Sequence, residues 1–196
     1  MATLAGIQDT PLHDVMREWM ALALAQARLA LNAGEAPIGS VLLNSAGAVM
    51  GVGYNTLLAS GNPTTHAEIN AFAAAAGQFD DAHDLVMVST LEPCVMCTGA
   101  AMQAGVTTII YALQAPADTG TGRVSPPTSP GATNPTVIGR IGAAESRRLF
   151  VEWMEQHEGD ASRDEQRAFV EQLLTLTAGD ESESLNDAHS NHIGTA

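Results

Sequence analysis

Two cysteines, Cys94 and Cys97, are the only ones in this 196-residue chain, and they stand three positions apart directly after Pro93. The stretch from Pro93 to Gly105 predicts a helix, because proline suits the first helical position and glycine suits a helix end. Residues at positions i and i+3 share one helix face, and the dipole and free N–H groups of a first turn favour the thiolate form of cysteine. The pair is therefore placed to bind a metal ion.

A third candidate ligand, His66, lies 28 residues before Cys94, in the segment NPTTHAEINAF. It also begins a predicted helix, and two strand–helix units side by side would direct both helix N-termini at one point. A structural zinc ion needs four protein ligands, and no other histidine has a suitable spacing. With three ligands, the fourth position on zinc would hold water, whose pKa the metal lowers to about 7.

Glu68 follows His66 by two residues and borders the same predicted pocket. A carboxylate there can take a proton from the water and pass it to a leaving group. The residues therefore predict a catalytic site with one zinc ion per chain, held by His66, Cys94 and Cys97, and with Glu68 as general acid and base. Two alternatives remain: a redox dithiol, in which His66 and Glu68 would have no role, and a zinc-binding module without catalytic activity.

Hydrophobic periodicity predicts the elements that position these residues. A helix over residues 11–32 is followed by a hairpin, with strands at 38–43 and 48–53 joined by the turn residues 44–47. A helix, a strand, a second helix and a second strand then follow in turn up to residue 113. His66 lies at the start of the first of these helices, and Cys94 lies at the start of the second.

The second half of the chain has a different character. Residues 114–136 carry five prolines and three glycines, which predicts either a lid or a disordered insertion. Two amphipathic helices then reach residue 177, whereas residues 178–196 are polar, acidic and without periodicity. We therefore expect a single domain over residues 1–177 and a disordered tail over residues 178–196.

Composition limits the class of protein. Apolar residues make up 45% of the chain, as in globular proteins, and no stretch approaches the roughly 18 apolar residues of a membrane span. The first residues lack the features of a secretory signal, so we expect a cytoplasmic protein with no membrane partner. The chain has 22 acidic residues against 8 basic ones, all arginines, and its formal net charge of -14 should repel long nucleic acids.

The two motifs together, His66-Ala67-Glu68 and Pro93-Cys94-Val95-Met96-Cys97, resemble the cytidine deaminase-like zinc deaminase superfamily. The flanking segments GEAPIGSVL, GYN and TLEPCVMCTGA are similar to one branch of it, which contains bacterial tRNA adenosine deaminases, guanine deaminases and cytosine deaminases. The resemblance covers roughly residues 12–113. It implies an α/β fold: a three-layer α/β/α sandwich around a central mixed sheet of about five strands.

The same resemblance implies a homodimer and a set of substrate contacts. It assigns substrate binding to Asn55, Ala67, Glu92 and Pro93. In this branch the C-terminal helix often closes over the site, which makes four further residues candidates for the pocket: Glu145, Phe150, Glu152 and Trp153.

We therefore expect a zinc-dependent hydrolytic deaminase that releases ammonia from a small amino-substituted nucleobase or nucleoside, with a purine such as guanine or adenine favoured. Within the superfamily, the alternatives are a tRNA adenosine deaminase for A-to-I editing and a cytosine or cytidine deaminase. The acidic charge argues against the tRNA substrate, since an enzyme of that kind must hold an anionic stem-loop. A small amino-heterocycle is the expected partner, and nucleic acid is not.

Overall fold

A single mixed β-sheet forms the centre of the computed structural model, which describes residues 12–79 and 84–182. Its strand order is β2-β1-β3-β4-β5. The strands are β1 (Gly39–Leu43), β2 (Val49–Tyr54), β3 (Leu85–Leu91), β4 (Val106–Leu113) and β5 (Thr136–Ile138). β1 runs antiparallel to both β2 and β3, whereas β3, β4 and β5 are parallel.

Six α-helices accompany the sheet in the described part of the chain. They are α1 (Leu12–Asn32), α2 (Leu57–Ser60), α3 (Ala67–Ala74), α4 (Val95–Gln103), α5 (Ala143–Gln156) and α6 (Asp164–Leu176). None of the helices among these residues is at once long enough and apolar enough to cross a bilayer.

The helices cover both faces of the sheet, because alternate residues of each strand point to opposite sides. Val41 of β1 and Val88 of β3 pack with Met20 of α1 on one face. Their sequence neighbours Leu42 and Met87 lie in a second cluster on the other face, together with residues of α3 and α4. The predicted three-layer α/β/α architecture with five strands is confirmed.

The approach of α3 to the sheet depends on a glycine. A Cβ atom on Gly53 of β2 would lie 2.3 Å from the carbonyl oxygen of Ala67 and 2.4 Å from the backbone nitrogen of Ala71. Any side chain at position 53 would therefore push α3 outward. Since α3 begins directly after His66, this contact fixes the position of one candidate metal ligand.

The structure differs from the sequence prediction in three places. The short elements α2 and β5 were not predicted, because a four-residue helix and a three-residue strand are too brief for periodicity to be visible. Residues 178–182 form a 3₁₀ helix in which Asp180 is buried and paired with Arg140, so the ordered chain extends past the predicted boundary at 177. The rest of the predicted tail, 183–196, lies outside the described residues.

Candidate metal centre and active-site cavity

The two sequence motifs meet at the N-termini of α3 and α4. His66 and Cys94 each immediately precede their helix, with the extended backbone typical of that position, and Cys97 lies in the first turn of α4. The Nδ1 atom of His66 is 3.6 Å from the Sγ of Cys94 and 3.7 Å from the Sγ of Cys97. Sequence spacing therefore identified three side chains that the fold brings together.

The geometry of this cluster fits a zinc ion. All three ligand atoms lie within 4.8 Å of one another. Zinc–nitrogen and zinc–sulfur bonds of ordinary length, at a tetrahedral angle, place those atoms about 3.5 Å apart. The observed nitrogen–sulfur distances match this value, and one imidazole with two thiolates is a typical zinc donor set. Both cysteines are free of disulfide bonds, as metal binding requires.

The surroundings of the two cysteines shift their pKa values in opposite directions. A hydrogen bond from Cys97, helped by one to His66, lowers the pKa of Cys94 to about 4. The same contact with Cys94, together with burial, raises the pKa of Cys97. The hydrogen bond to Cys94 also raises the pKa of His66. Cys94 is therefore the ready thiolate, while a second thiolate beside it needs a cation to offset the repulsion.

The start of α3 is held by two asparagines. The Oδ1 of Asn55 accepts a hydrogen bond from the backbone N–H of Ala67 at 3.2 Å. Asn70, one turn further along α3, donates from its Nδ2 to the carbonyl oxygen of Tyr54 at 2.7 Å and to the Oγ1 of Thr56 at 3.1 Å. These contacts tie the helix that carries His66 to the end of β2.

Glu68 lies on the first turn of α3, beside the three candidate metal ligands. Its side chain is 4% exposed, and its Oε1 accepts a hydrogen bond from the Oγ of Ser89 on β3 at 2.8 Å. Burial raises the pKa of Glu68, and the Ser89 hydrogen bond opposes that rise. A carboxyl group with a raised pKa holds a proton more readily than a free carboxylate does, which suits a proton carrier.

A cavity of about 240 Å³ opens beside these residues. His66, Glu68 and Cys94 line it, as do Asn55 and Glu92, two of the predicted substrate-binding residues. The other two, Ala67 and Pro93, are buried and are not among the residues that line this cavity.

The far wall of the cavity is α6, not α5. Glu165, Gln166, Phe169 and Val170 of α6 line it. The α5 candidates lie elsewhere: Phe150 and Trp153 are fully buried in the core between α1, α5 and α6, and Glu152 is paired with Arg28 at 2.5 Å. Glu145, the fourth candidate, is within 3.2 Å of Arg148 and is also absent from the cavity lining. The expectation for α5 is therefore corrected.

Sequence reasoning missed the α6 residues for a physical reason. Phe169 and Leu173 belong to one apolar stripe, which predicts core packing along its whole length. In the structure Leu173 is fully buried, whereas Phe169 is only partly buried and also faces the cavity. No local pattern distinguishes the part of such a stripe that meets the core from the part that borders a cavity.

The mouth of the cavity is acidic. Asp118, in the segment after β4, and Glu165, on α6, are both exposed and both line the cavity. Glu35 lies deeper, is 2% exposed and accepts hydrogen bonds at its Oε1 from the backbone nitrogens of Leu58 and Ala59, each at 2.9 Å. Glu35 thus supports the start of α2, while Asp118 and Glu165 set the charge of the entrance.

Known proteins similar to this chain include deaminases. The family model described as the cytidine and deoxycytidylate deaminase zinc-binding region matches residues 14–113. A tRNA(Ile)-lysidine synthase of Deinococcus radiodurans is 40% identical over 150 residues, which is 75% of this chain and 25% of that protein. The tRNA-specific adenosine deaminase of Haemophilus influenzae is 37% identical over 93 residues, which is 46% of this chain and 53% of that protein.

Solved structures give the same fold. A chain from a study of A-to-I editing by tRNA:A34 deaminases has a TM-score of 0.58 at 28% identity, and the match covers 67% of this chain and 98% of that one. The guanine deaminase from Nitrosomonas europaea has a TM-score of 0.58 at 20% identity, with 70% and 83% covered, a likeness of fold alone. The matched part of this chain spans only 25% of the first sequence relative and 53% of the second.

Proposed function

Because the chain belongs to the cytidine and deoxycytidylate deaminase zinc-binding family, we propose that it is a zinc-dependent hydrolytic deaminase of a nucleobase ring. The observation that carries this proposal is the position of Glu68, a buried carboxyl group on the same cavity as the His66–Cys94–Cys97 cluster. A redox dithiol would need neither His66 nor Glu68, and a structural zinc module would need neither a cavity nor a proton carrier.

Each side chain then has a distinct task. His66, Cys94 and Cys97 would hold one zinc ion, which supplies an activated water nucleophile at neutral pH. Glu68 takes the proton of the attacking water and delivers it to the exocyclic amine. The new carbon–oxygen bond forms, the carbon–nitrogen bond breaks, and ammonia leaves with the transferred proton.

The remaining cavity residues would bind the ring. Asn55 is held by its Oδ1 contact to Ala67, so its amide has a fixed orientation at the cavity wall. Phe169 of α6 offers an aromatic side chain in the same cavity, where a flat heterocycle could pack. Substrate contacts by Ala67, Glu92 and Pro93 stay predictions.

We favour a small purine-type amino-heterocycle that carries no phosphate as the substrate. Two exposed carboxylates, Asp118 and Glu165, stand at the entrance, and the whole chain has a net charge of -14. An anionic ligand would approach this mouth against electrostatic repulsion, whereas a neutral base or nucleoside would not.

A tRNA adenosine is the second candidate, and the sequence relatives favour it. The Haemophilus influenzae protein is by name a tRNA-specific adenosine deaminase and is 37% identical to this chain over 93 residues. The acidic entrance opposes this candidate, because RNA binding depends on cationic side chains near the backbone phosphates.

One pair of measurements separates the candidates. Ammonia release from adenine, guanine, cytosine and their nucleosides should identify a small substrate. The same assay with an anticodon stem-loop, together with a low-salt gel shift, should show neither turnover nor binding. Stem-loop turnover without release from any free base or nucleoside would establish the tRNA candidate instead.

The predicted homodimer and cytoplasmic location also stay predictions. Light scattering coupled to size-exclusion chromatography of the purified full chain measures its mass directly and so tests the dimer.

A further inference from the structure

Residues 115–121, which we call the strap, leave β4 and cross the start of α4. The backbone nitrogen of Val95 donates to the carbonyl oxygen of Asp118 at 3.2 Å, and the nitrogen of Gly120 donates to the carbonyl oxygen of Pro93 at 2.8 Å. These two hydrogen bonds flank Cys94, which pairs with Thr119 as an isolated antiparallel bridge. The metal ligand is thus held through its backbone by a segment about 25 residues further along the chain.

The N–H groups in the first turn of α4 need partners outside the helix. A residue preceding a helix commonly caps it with its side chain, but the Cys94 side chain makes no such hydrogen bond. The strap takes over this task, since the Asp118 carbonyl oxygen accepts from a first-turn N–H group that has no partner within the helix. The Cys94 thiol is left to face His66.

The strap lies so close to Cys94 that one of its residues must be glycine. A Cβ atom on Gly120 would lie 2.5 Å from the carbonyl oxygen of Cys94 and 2.4 Å from the Oγ1 of Thr98. Both atoms belong to the turn that carries the metal ligands. Any side chain at position 120 would therefore displace either the strap or the backbone of Cys94.

A buried carboxyl group, Glu92, anchors the strap. Glu92 is 6% exposed and accepts hydrogen bonds from the hydroxyl groups of Thr119 and Thr121 at its Oε1 and from the backbone nitrogen of Ala115 at its Oε2. Its own backbone nitrogen donates to the carbonyl oxygen of Leu113 at 2.7 Å. A carboxyl group is costly to bury, so this concentration of donors on one side chain indicates a local requirement for strap geometry.

We propose that Glu92, Thr119, Thr121 and Gly120 are positioning residues for the metal ligand Cys94. By fixing the strap against the turn from Pro93 to Val95, they set where the Cys94 sulfur lies relative to His66 and Cys97. The inference rests on the zinc site of the proposed function, and it assigns a role to the first part of the proline-rich loop. Hydrogen-bonded supports behind metal ligands commonly change metal affinity about 10–100-fold when they are removed.

A pair of glycine variants tests the close approach of the strap. Gly120→Ala should weaken binding of Co(II) and Zn(II) about 10–100-fold in competition with a chelator. It should also alter the thiolate-to-Co(II) absorption bands, because the Cys94 sulfur moves. Gly99→Ala is the matched control: it lies on α4 itself, and a Cβ there would meet only the Val124 Cγ1 at 4.0 Å. That variant should keep the wild-type affinity and spectrum.

Substitution of Thr119 by valine removes a hydrogen bond to Glu92 without placing an extra atom against the turn from Pro93 to Val95. Thr119→Val should weaken metal binding and change the Co(II) spectrum, and Thr119→Ser, which keeps the hydroxyl, should restore both. Thr133→Val serves as a control, because Thr133 is in the same loop but donates to the Val106 carbonyl oxygen and not to Glu92. If Gly120→Ala fails to fold, this series still decides the matter.

The outcomes separate this inference from the proposed function. If the Gly120 and Thr119 variants melt earlier but keep wild-type Co(II) affinity and spectrum, the strap is only structural and the inference is overturned. If wild type binds Co(II) through thiolates and the variants lose it, but no amino-heterocycle or stem-loop is deaminated, the inference holds and the proposed function fails. Wild-type protein that binds no metal would overturn both.

Discussion

The two walls of the cavity are built in different ways. The inner wall comes from the first turns of α3 and α4, where His66, Glu68 and Cys94 are half-buried or buried and held by hydrogen bonds. The outer wall comes from α6 and the strap, where Glu165 and Asp118 are exposed. A buried, preorganised wall suits chemistry, because its charges are little screened by water, while an exposed wall suits substrate choice. Substitutions in the two walls should therefore differ in kind as well as in size.

The largest effect should come from the inner wall. Cys97→Ala removes one of the three candidate ligands, so the protein should lose its zinc and all measurable turnover. It should also melt at lower temperature, since metal binding stabilises the folded chain. Elemental analysis, an ammonia assay and thermal unfolding measure the three consequences. Retention of one zinc per chain in this variant would show that Cys97 is not a ligand.

Glu68→Gln should separate catalysis from metal binding. The amide keeps the size of the side chain but cannot carry the proton, so kcat should fall about 10²–10⁴-fold. Zinc content should remain that of wild type, because Glu68 is not one of the three candidate ligands. Glu155→Gln, an exposed change on α5, is the control. Equal rates for Glu68→Gln and wild type would remove Glu68 from the proposed reaction.

Ser89→Ala should give a smaller and more diagnostic change. Loss of one hydrogen bond to Glu68 costs about 0.5–1.5 kcal/mol, or up to roughly tenfold in kcat. The Ser89 hydrogen bond lowers the pKa of Glu68, so its removal should raise that pKa further. The limb of the pH profile that reports Glu68 should therefore move to higher pH. A profile unchanged in position would show that Ser89 does not act through Glu68.

In the outer wall, Phe169→Ala should affect binding more than chemistry. We expect KM to rise about 5–30-fold, which corresponds to about 1–2 kcal/mol of lost contact with the ring, while kcat stays close to wild type. Gln172→Ala, an exposed change on the same helix, provides the comparison. If kcat fell as much as kcat/KM, Phe169 would belong functionally to the inner wall.

The smallest effect should come from charge at the entrance. The double variant Asp118→Asn, Glu165→Gln should improve kcat/KM for a nucleoside monophosphate relative to its nucleoside by about 2–5-fold at low salt. At high salt the improvement should vanish, because exposed charges are screened. Neutralising Glu155 and Glu171, which are exposed and do not line this cavity, should leave the ratio unchanged.

The inner wall was predictable because its residues are close in sequence to recognisable helix starts. His66 and Cys94 each stand at the residue before a helix, and strand–helix units in one sheet place such residues together. Glu92 was predicted as a substrate contact, and it does line the cavity, but both of its carboxylate oxygens are engaged by the strap. Nothing in the local sequence around Glu92 indicates those partners, since they lie 23–29 residues further along the chain.

The amino-acid sequence by itself predicted the three candidate metal ligands, the candidate proton carrier and the order of the main helices and strands, because each depends on residue type and short-range spacing. Only the tertiary structure decided that α6 covers the cavity while α5 enters the core, and that the strap closes over Cys94. Those contacts join segments that are far apart in the chain. They depend on which of several similar apolar helix faces and loops packs best against the surface that the other elements leave uncovered.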